Sequence, residues 1–422
     1  MRGRTRALGA LAVTAVVAAG TAAPAVAGAA PSSAASERTE TAPKRTELRV
    51  ATYNASLNRA TEGELVADLS TPDDPQARAV AEVIQIAAPD VVLLNEFDHD
   101  AEGRAVDLFR ENYLAVPQQG RDAVDYPYAY TAPVNTGVPS GLDLNNDGTV
   151  GGPDDALGFG AFPGQYGMVV LSRYPIDTEN VRTFQNFLWK DMPGALLPDD
   201  PATPEPADWY SPEELERVRL SSKSHWDVPV RVGRTTLHIL AAHPTPPTFD
   251  GPEDRNGRRN HDETRFWANY VADRRADDYI YDDAGRRGGL RPGTRFVIVG
   301  DYNADPVDGD SVPGAIDQLL SHRRVRDPEP SSEGAVEADA TQRGANLQHL
   351  GDPSLDTADF ADTEPGNLRV DYVLPSKRLD VEDAGVFWPE ADQPGSELTG
   401  IHPFPTSDHR LVWVDLEIHG RR

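Results

Sequence analysis

The sequence contains no cysteine, and only four of its 422 residues are lysines. The lack of cysteine excludes disulfides, thiolate zinc sites, iron–sulfur clusters, a cysteine nucleophile and a lipidated N-terminal cysteine. Positive charge is scarce, because 40 Lys and Arg stand against 68 Asp and Glu, for a formal net charge of −28 at pH 7. Such an acidic chain disfavours a broad nucleic-acid-binding surface, but not an enzyme that brings phosphate into its site with metal ions.

Long hydrophobic runs are also missing, apart from one near the N-terminus. That run covers about residues 7–19 and is shorter than the roughly 20 residues of a membrane span. Three arginines precede it, and Ala25-Val26-Ala27 follows it as a small-residue cleavage site. The pattern predicts a Sec-type signal peptide over 1–27, a flexible leader over 28–45, a secreted mature protein and no stable membrane insertion.

The rest of the chain alternates short apolar stretches with helical patterns. The predicted strands cover 48–53, 91–94, 168–171, 237–241, 296–299, 370–374 and 411–418. The predicted helices cover 76–88, 105–111, 213–218, 263–273 and 315–320. Several of these stretches are continuously apolar, as in strands buried on both faces. The alternation predicts α/β layers in one large domain, about residues 46–419.

Polar residues lie at or near an end of six predicted strands. They are Asn54, Asn95 with Glu96, His243, Asp301 with Asn303, Asp371, and Asp408 with His409. Taken singly, each has an ordinary structural explanation, because Asp and Asn commonly cap helices or form turns. Turn chemistry does not require carboxylates, amides and histidines together, and ligands bind where strand ends converge.

This mixture of groups is what metal-assisted phosphoester hydrolysis requires. Carboxylates hold a hard divalent cation, and the cation neutralises charge on the phosphate and the leaving oxygen. A His–Asp pair activates water, and an amide orients the water or donates a hydrogen bond in the transition state. The strand ends therefore predict a hydrolytic site.

The same residues stand in motifs that resemble the endonuclease/exonuclease/phosphatase superfamily, which has the deoxyribonuclease-I-like fold. In chain order the motifs are Ala51-Thr52-Tyr53-Asn54, Leu94-Asn95-Glu96, Leu-Ser-Arg-Tyr-Pro-Ile at 171–176, Gly300-Asp301-Tyr302-Asn303, Arg369-Val370-Asp371-Tyr372 and Ser407-Asp408-His409. The resemblance implies a four-layer α/β sandwich, with two mixed β-sheets packed face to face and flanked by helices. Asn95, Tyr302 and Pro244 replace the commoner Gln, Phe and Leu, which suggests a secreted bacterial subgroup apart from the well-studied nucleases.

Carried over residue by residue, the resemblance implies a catalytic Mg²⁺ or Mn²⁺ site. Glu96 would be the main metal ligand, with Asn54 and Asp408 close to the ion. A generic phosphoester, whether small molecule, lipid or nucleic acid, would be the substrate.

The resemblance also implies roles for the other residues. Asp301 and Asn303 would position the attacking water and the phosphate. His409 would contact the phosphate and act as base or electrophile, and Asp371 would orient a histidine. His243 stands where nuclease members carry the histidine that assists the leaving oxygen. Which histidine is the acid and which the base stays open.

A second metal site is predicted in the insertion near 131–165. Residues 143–154 match a calcium-loop pattern, with Gly148 at position 6 and an apolar residue at position 8. The predicted ligands are Asp143, Asn145, Asp147, the backbone carbonyl of Thr149, and Asp154. The alternative is an acidic turn without a metal, but every position of the pattern matches. Calcium would have a structural role, because it would order this insertion. Weak affinity would suffice, since calcium is plentiful outside the cell.

Two lysines lie near tryptophans in the second long insertion. Lys190 follows Trp189 directly, and Lys223 is three residues before Trp226. Each could contact a phosphate or leaving group, and each could equally be a surface cation beside a half-buried ring.

The sequence thus predicts a secreted, metal-dependent phosphoesterase that uses activated water and forms no covalent intermediate. A phosphodiesterase such as a nuclease and a phosphatase are both open, and the acidity slightly favours small or lipid-like phosphoesters over duplex DNA. The alternative from another class is a non-catalytic, calcium-stabilised extracellular binding protein on the same scaffold. The intact set of polar residues counts against that alternative. No protein partner is implied.

Overall fold

The computed structural model describes residues 45–272, 275–400 and 402–419. The predicted signal peptide and the predicted leader up to residue 44 lie outside these described residues. The strands are β1 Arg45–Asn54, β2 Val91–Asn95, β3 Tyr128–Tyr130, β4 Met168–Ser172, β5 Arg182–Thr183, β6 His225–Val232, β7 Thr235–Ala242, β8 Arg295–Asp301, β9 Ala358–Asp359, β10 Asn367–Leu368, β11 Asp371–Pro375, β12 Asp380–Val386 and β13 Val412–His419. The helices are α1 Glu64–Leu69, α2 Pro75–Ala87, α3 Arg104–Phe109, α4 Pro212–Leu215, α5 Arg255–Tyr270, α6 Asp317–Leu320, α7 Glu333–Gln342 and α8 Ser396–Thr399.

The strands form two large mixed sheets and a two-stranded ribbon of β9 and β10. The first sheet has the order β12-β13-β1-β2-β4-β3, and the second has the order β11-β8-β7-β6-β5. β1 pairs with β2 in parallel, and β7 pairs with β8 in parallel, whereas the other neighbours in the two large sheets are antiparallel. Parallel neighbours end at the same edge of their sheet, so each sheet brings two strand ends to one edge.

The continuous apolar stretch of β2 is explained by burial on both faces. Side chains alternate along a strand, so Val91 and Leu93 pack in the core between the two sheets. Val92 and Leu94 point the other way and pack with α2, which contributes Ile84. β2 therefore has no face in contact with water.

The second sheet has the same arrangement. On β8, Val297 and Val299 belong to the core between the sheets, while Phe296 and Ile298 pack on the outer side with Phe266 of α5. Helix, sheet, sheet and helix therefore lie in succession. The predicted four-layer α/β sandwich is confirmed.

Helix α2 begins and ends where local chemistry places its boundaries. Asp74 accepts a hydrogen bond from the backbone N–H of Ala77 (2.7 Å), and Pro75 occupies the first helical position. The helix ends at Ala88, which adopts φ 47°, directly before Pro89. The predicted helix over 76–88 is confirmed within one residue at each end.

Helix α5 departs most from its prediction, because it begins at Arg255 and not near residue 263. Its first two turns are polar in sequence, yet Asn260 and Asp262 are fully buried. A search for apolar periodicity does not detect a helix that turns polar residues toward the protein interior. None of the helices in the described segments combines the length and the apolar character of a membrane span.

Candidate active site

Strand ends from both sheets meet at one end of the sandwich. In the first sheet Asn54 is in register with Asn95, and in the second Asp301 is in register with Asp371. The amide Nδ2 of Asn54 donates to Oδ2 of Asp301 across the two sheets, at 3.0 Å. Residues 247 positions apart in sequence are thereby joined.

Asp301 is the centre of this cluster, and its side chain is 1% exposed. Besides the bond from Asn54, its Oδ2 lies 3.3 Å from Nε2 of His243 and 3.7 Å from Nε2 of His409. Its Oδ1 accepts from the backbone N–H of Asn303 at 2.9 Å. Burial opposes ionisation, but the two histidines and Asn54 outweigh it and lower the pKa of the Asp301 carboxyl. Asp301 is therefore an anion in the folded protein.

His409 lies between two carboxylates. Its Nδ1 is 2.8 Å from Oδ2 of Asp371, on the side opposite Asp301. Burial lowers the pKa of His409, but Asp371 and Asp301 outweigh that effect and raise it well above the ordinary value. The ring is therefore a buried imidazolium that can donate a hydrogen bond. Burial raises the pKa of Asp371, an effect that the neighbouring His409 opposes.

His243 has the opposite electrostatic setting, although it also faces Asp301. Burial lowers its pKa, and the nearby Lys223 ammonium lowers it further. Its Nδ1 is buried and has no hydrogen-bond partner among the described residues. Because only Nε2 faces a carboxylate, we assign the hydrogen of a neutral ring to Nε2. The two histidines thus differ in charge although both face Oδ2 of the same aspartate.

Glu96 lies at the mouth of the cluster and is only partly buried. It follows β2 directly and adopts φ 56°, a left-handed conformation that turns the chain sharply after the strand. Asn58 donates to its Oε2 at 2.9 Å. No protein donor among the described residues reaches Oε1, so one carboxylate oxygen is available to a ligand.

Asp408 and Asn54 are connected through two serines. Ser56 donates its backbone N–H to Oδ1 of Asn54 (3.2 Å), and its hydroxyl is 3.1 Å from the hydroxyl of Ser407. Ser407 in turn donates to Oδ1 of Asp408 at 3.4 Å. The segments that carry the predicted ligands Asn54 and Asp408 are therefore tied together. No direct hydrogen bond joins Asp408 to Glu96 in the described part of the chain.

The donor set fits a hard divalent cation. The carboxylates of Glu96 and Asp408 and the amide oxygen of Asn54 are the oxygen ligands that Mg²⁺ and Mn²⁺ favour. In the described segments, one group of three acidic or histidine side chains has ligand atoms within 4.8 Å of one another, namely Asp301, Asp371 and His409. His409 and Asp371 hydrogen-bond each other, and this bond occupies one ligand atom of each. Oε1 of Glu96 has no such partner among the described residues and is therefore the more available metal ligand.

Several positioning residues were not predicted from the sequence. The hydroxyl of Thr357 donates to Oδ2 of Asp371 at 2.9 Å and accepts from the backbone N–H of Asp371 at 3.0 Å. Asn260 of α5 donates to the backbone carbonyls of Thr245 and Tyr302, both at 2.8 Å, and so holds the segments after β7 and β8. Asn58 and Thr357 lie in irregular segments, where no periodicity marks them.

Lys223 lies in this site, whereas Lys190 does not. Lys223 is 6% exposed; burial lowers its pKa, and Glu263, Glu96 and Asp301 oppose that effect. Lys190 pairs at the protein surface with Glu216 at 2.5 Å. Lys223 is therefore not a surface cation, whereas Lys190 is paired near the surface, and contact of Lys223 with a phosphate stays a prediction.

The predicted calcium loop is a turn held by hydrogen bonds from its backbone N–H groups to its own carboxylates. Asp143 accepts from the N–H groups of Asp147 (3.1 Å) and Gly148 (2.9 Å). Asp154 is exposed, whereas the adjacent Asp155 is buried and accepts from Gly151 N–H at 2.7 Å. In the described segments, the loop's carboxylates do not form a group of three within 4.8 Å of one another. The calcium ligands Asp143, Asn145, Asp147, Thr149 and Asp154 stay a prediction.

Comparison with known proteins places these observations in a family context. The sequence matches the endonuclease/exonuclease/phosphatase family over residues 51–409, a span that includes both Asn54 and His409. No curated protein matches the chain.

Similar solved structures come from bacteria and from human. An endonuclease/exonuclease/phosphatase from Beutenbergia cavernae DSM 12333 is 19% identical, covers 89% of this chain and 72% of its own, and gives a TM-score of 0.45. A family protein from Leptotrichia buccalis C-1013-b is 15% identical, covers 88% and 100%, and gives 0.45. The human Nocturnin catalytic domain with bound sulfate anion is 14% identical, covers 89% and 97%, and gives 0.43.

Proposed function

The chain belongs to the endonuclease/exonuclease/phosphatase family, and we propose that it is a secreted, divalent-metal-dependent phosphoesterase that hydrolyses its substrate with activated water. The observation that carries the proposal is the buried Asp301 anion, which faces a cationic His409 and a neutral His243. Asp301 can act as a base, His409 is a hydrogen-bond donor, and His243 is a second titratable ring. Both rings lie within 4 Å of the Asp301 carboxylate, and hydrolysis by water requires groups of these kinds.

In the proposed mechanism Asp301 orients the attacking water. Its Oδ2 accepts the water hydrogen, while the bond from Asn54 and the N–H of Asn303 fix the carboxylate in place. Asp301 is ionised, so it can also hold the proton as the water attacks. Asn303 is held by its own side chain, which donates to the carbonyl of Pro244 at 3.2 Å.

The two histidines have different tasks because they differ in charge. His409, an imidazolium braced by Asp371, donates a hydrogen bond to a phosphoryl oxygen as negative charge develops there. His243 is neutral and buried, and its Nε2 also faces Oδ2 of Asp301, where its ring can assist the departing oxygen. Thr357 fixes Asp371 and therefore fixes the orientation of His409.

Glu96, Asn54 and Asp408 are the proposed ligands of Mg²⁺ or Mn²⁺. When bound, such a cation neutralises phosphate charge and stabilises the leaving oxygen. Asn58 orients the Glu96 carboxylate, as residues behind a metal ligand commonly do.

The proposal is tested with the mature protein on a generic phosphodiester and a generic phosphomonoester, side by side, in Mg²⁺ or Mn²⁺. We expect turnover of at least one, and its loss both in a chelated sample and in Asp408→Ala. Diester cleavage would lead next to DNA, RNA and phospholipids, and monoester cleavage alone would identify a phosphatase. If the protein binds substrate analogues but hydrolyses neither ester, the enzymatic proposal is wrong.

Secretion is proposed from the N-terminal sequence alone. The test is to express the full chain in a bacterium and to determine the N-terminal residue of the protein recovered from the medium. We expect a chain that begins at residue 28, after Ala27. A full-length chain retained in the cells would contradict the proposal.

We also propose that calcium orders the 143–154 loop. Asp143, Asn145 and Asp147 lie in one tight turn, and a bound cation would offset the repulsion between the carboxylates of Asp143 and Asp147. The melting temperature should rise with calcium in the wild type and should not rise in Asp147→Ala. An equal rise in both proteins would place the calcium elsewhere.

A further inference from the structure

Lys223 is placed beside the candidate active site by the register of the second sheet. His225 of β6 pairs with Ala242 of β7. Continuing that register past the strand ends brings Lys223 alongside Pro244 and next to His243. The backbone of this segment is fixed as well, because the carbonyl of Lys223 accepts from the N–H of Asn135 at 2.9 Å.

The ammonium group of Lys223 has no partner in the described part of the chain. It makes no hydrogen bond there and has no carboxylate within 4.0 Å, although the residue is only 6% exposed. The side chain is nearly buried, but Nζ itself is not fully enclosed, so the ammonium keeps only part of its hydration and stays accessible to a ligand. The free cation therefore calls for a ligand that supplies negative charge.

The nearest acidic groups do not fill that need. Glu263 is occupied by the backbone, since its Oε1 accepts from Ser222 N–H (2.7 Å) and its Oε2 accepts from Thr245 N–H (2.6 Å). Glu96 and Asp301 act on Lys223 through space but do not reach ion-pair distance. Both of those carboxylates have tasks in the proposed hydrolysis.

The cleft also needs a cation for electrostatic reasons. A phosphoester is an anion, and the site that receives it is lined by Glu96, Asp301, Asp371 and Asp408. A lysine ammonium is a strongly hydrated point charge that suits a phosphate oxygen. Its location next to His243 places it near the side chains around Asp301, which also include His409.

We propose that the Lys223 ammonium binds a non-bridging phosphoryl oxygen of the substrate, next to His243. This inference rests on the proposed function, since it takes the cleft to be a phosphoester site. It makes Lys223 a substrate-binding residue that positions the phosphate near two cations, Lys223 and His409.

The test uses inorganic phosphate as the probe and calorimetric titration as the readout, on the mature protein with and without Mg²⁺. In Lys223→Met the affinity for phosphate should fall by about tenfold or more, as for loss of a charge-assisted hydrogen bond. Lys223→Arg should stay within a few-fold of the wild type. The matched control is Lys190→Met, which removes a surface lysine paired with Glu216 and should leave phosphate affinity unchanged.

Kinetics give a second readout on whichever ester is hydrolysed. Lys223→Met should raise KM more than Lys223→Arg does, at equal melting temperature. If Lys223→Met does not fold, Lys223→Gln keeps a polar side chain without the charge and replaces it. Phosphate affinity that is unchanged in a folded Lys223→Met or Lys223→Gln protein would overturn the inference, and so would a wild type that does not bind phosphate. If phosphate binding depends on Lys223 but no ester is hydrolysed, the proposed function fails and the inference about Lys223 stands.

Discussion

The site around Asp301 and the loop over 143–155 both gather acidic side chains, but they balance the charge differently. Asp301 is buried and is matched by two histidines and Asn54. Asp147 is exposed, and its Oδ1 accepts from the N–H of Thr149 at 2.7 Å. The first region is held by contacts between distant parts of the chain. The carboxylates of the second accept hydrogen bonds from N–H groups within a dozen residues, and among the described residues only Trp209 hydrogen-bonds to the loop from farther along the chain, through Leu144 and Asn146.

This difference predicts how each region responds when one of its side chains is substituted. Buried charges inside a protein interact strongly and become expensive when a partner is removed. Exposed charges are screened by water, and their pairing contributes little to stability. Substitutions at the Asp301 site should therefore change chemistry sharply, whereas substitutions in the loop should change stability or calcium response.

The largest effect is expected for Asp371→Asn. The substitution keeps the shape of the side chain but removes the charge that holds His409 as an imidazolium. Turnover should fall by about 10²–10⁴-fold, and the melting temperature should fall as well, because the substitution removes the charge partner of a buried imidazolium. The measurement is steady-state hydrolysis in Mg²⁺, and Asp147→Asn in the loop is the control that should keep full turnover. A loss smaller than threefold in Asp371→Asn would remove the contrast between the two regions.

Asn58→Ala should weaken the metal site without removing a ligand. Without Asn58 the Glu96 carboxylate loses the donor that orients Oε2. The Mg²⁺ concentration for half-maximal activity should rise about 10- to 100-fold, while activity at saturating Mg²⁺ largely recovers. A titration of activity with metal checks this. An unchanged metal requirement would show that Glu96 is positioned by its backbone alone.

Asp155→Ala tests the loop from its one buried acid. Asp155 accepts from the N–H groups of Leu144 and Gly151, both at 2.7 Å. Removing it leaves a buried N–H without a partner and should lower the free energy of unfolding by about 1–3 kcal/mol. Urea denaturation without calcium measures this, and exposed Asp154→Ala should stay close to the wild type. Equal losses in both variants would contradict the assignment of Asp155 as the closing residue.

A pH-dependent effect is expected at Asp356, a buried acid whose side chain has no hydrogen-bond or ion-pair partner in the described segments. Burial raises its pKa from 3.8 to about 8, with Asp305, Asp339, Asp308 and Asp352 adding to the rise. Between pH 4 and pH 8 the unfolded chain has lost this proton and the folded chain keeps it. The folded state therefore binds more protons, and this group lowers stability as the pH rises.

Asp356→Asn cannot titrate and should escape that loss. Its melting temperature relative to the wild type should increase from pH 5 to pH 8, by a few degrees, and then level off. Thermal melts across that range measure the difference. Asp73→Asn, at an exposed ion pair with Arg78, should give a flat difference, and a flat difference for Asp356→Asn as well would show that Asp356 is not buried as an acid.

Much of the fold was predictable because its signal is local. The apolar stretch at 91–94 predicts a strand buried on both faces, and β2 is such a strand. Helix α5 was predicted only in part, because Asn260 and Asp262 are buried through hydrogen bonds and not through apolar character. Buried polar residues carry no periodic signal until their partners are known.

The candidate site shows the same limit at the level of single residues. Lys190 and Lys223 have similar neighbours in sequence, yet one pairs with Glu216 at the surface and the other lies buried beside Asp301. Likewise, spacing favoured Asp154 as the last residue of the loop, and the structure buries Asp155 instead. The spacing of a sequence pattern predicts which position is a ligand. Which side chain is buried depends instead on the direction of the chain after Gly152.

By itself the sequence determined the buried strands and the polar residues that follow them, because side-chain alternation and strand-end chemistry act over a few residues. The tertiary structure alone decided that Asn54 and Asp301 hydrogen-bond across two sheets and that His409 carries a charge while His243 does not. Those outcomes depend on burial and on neighbours that lie tens to hundreds of residues away in sequence. The charge state of a buried group is set by the whole fold, and it cannot be predicted from a short stretch of sequence.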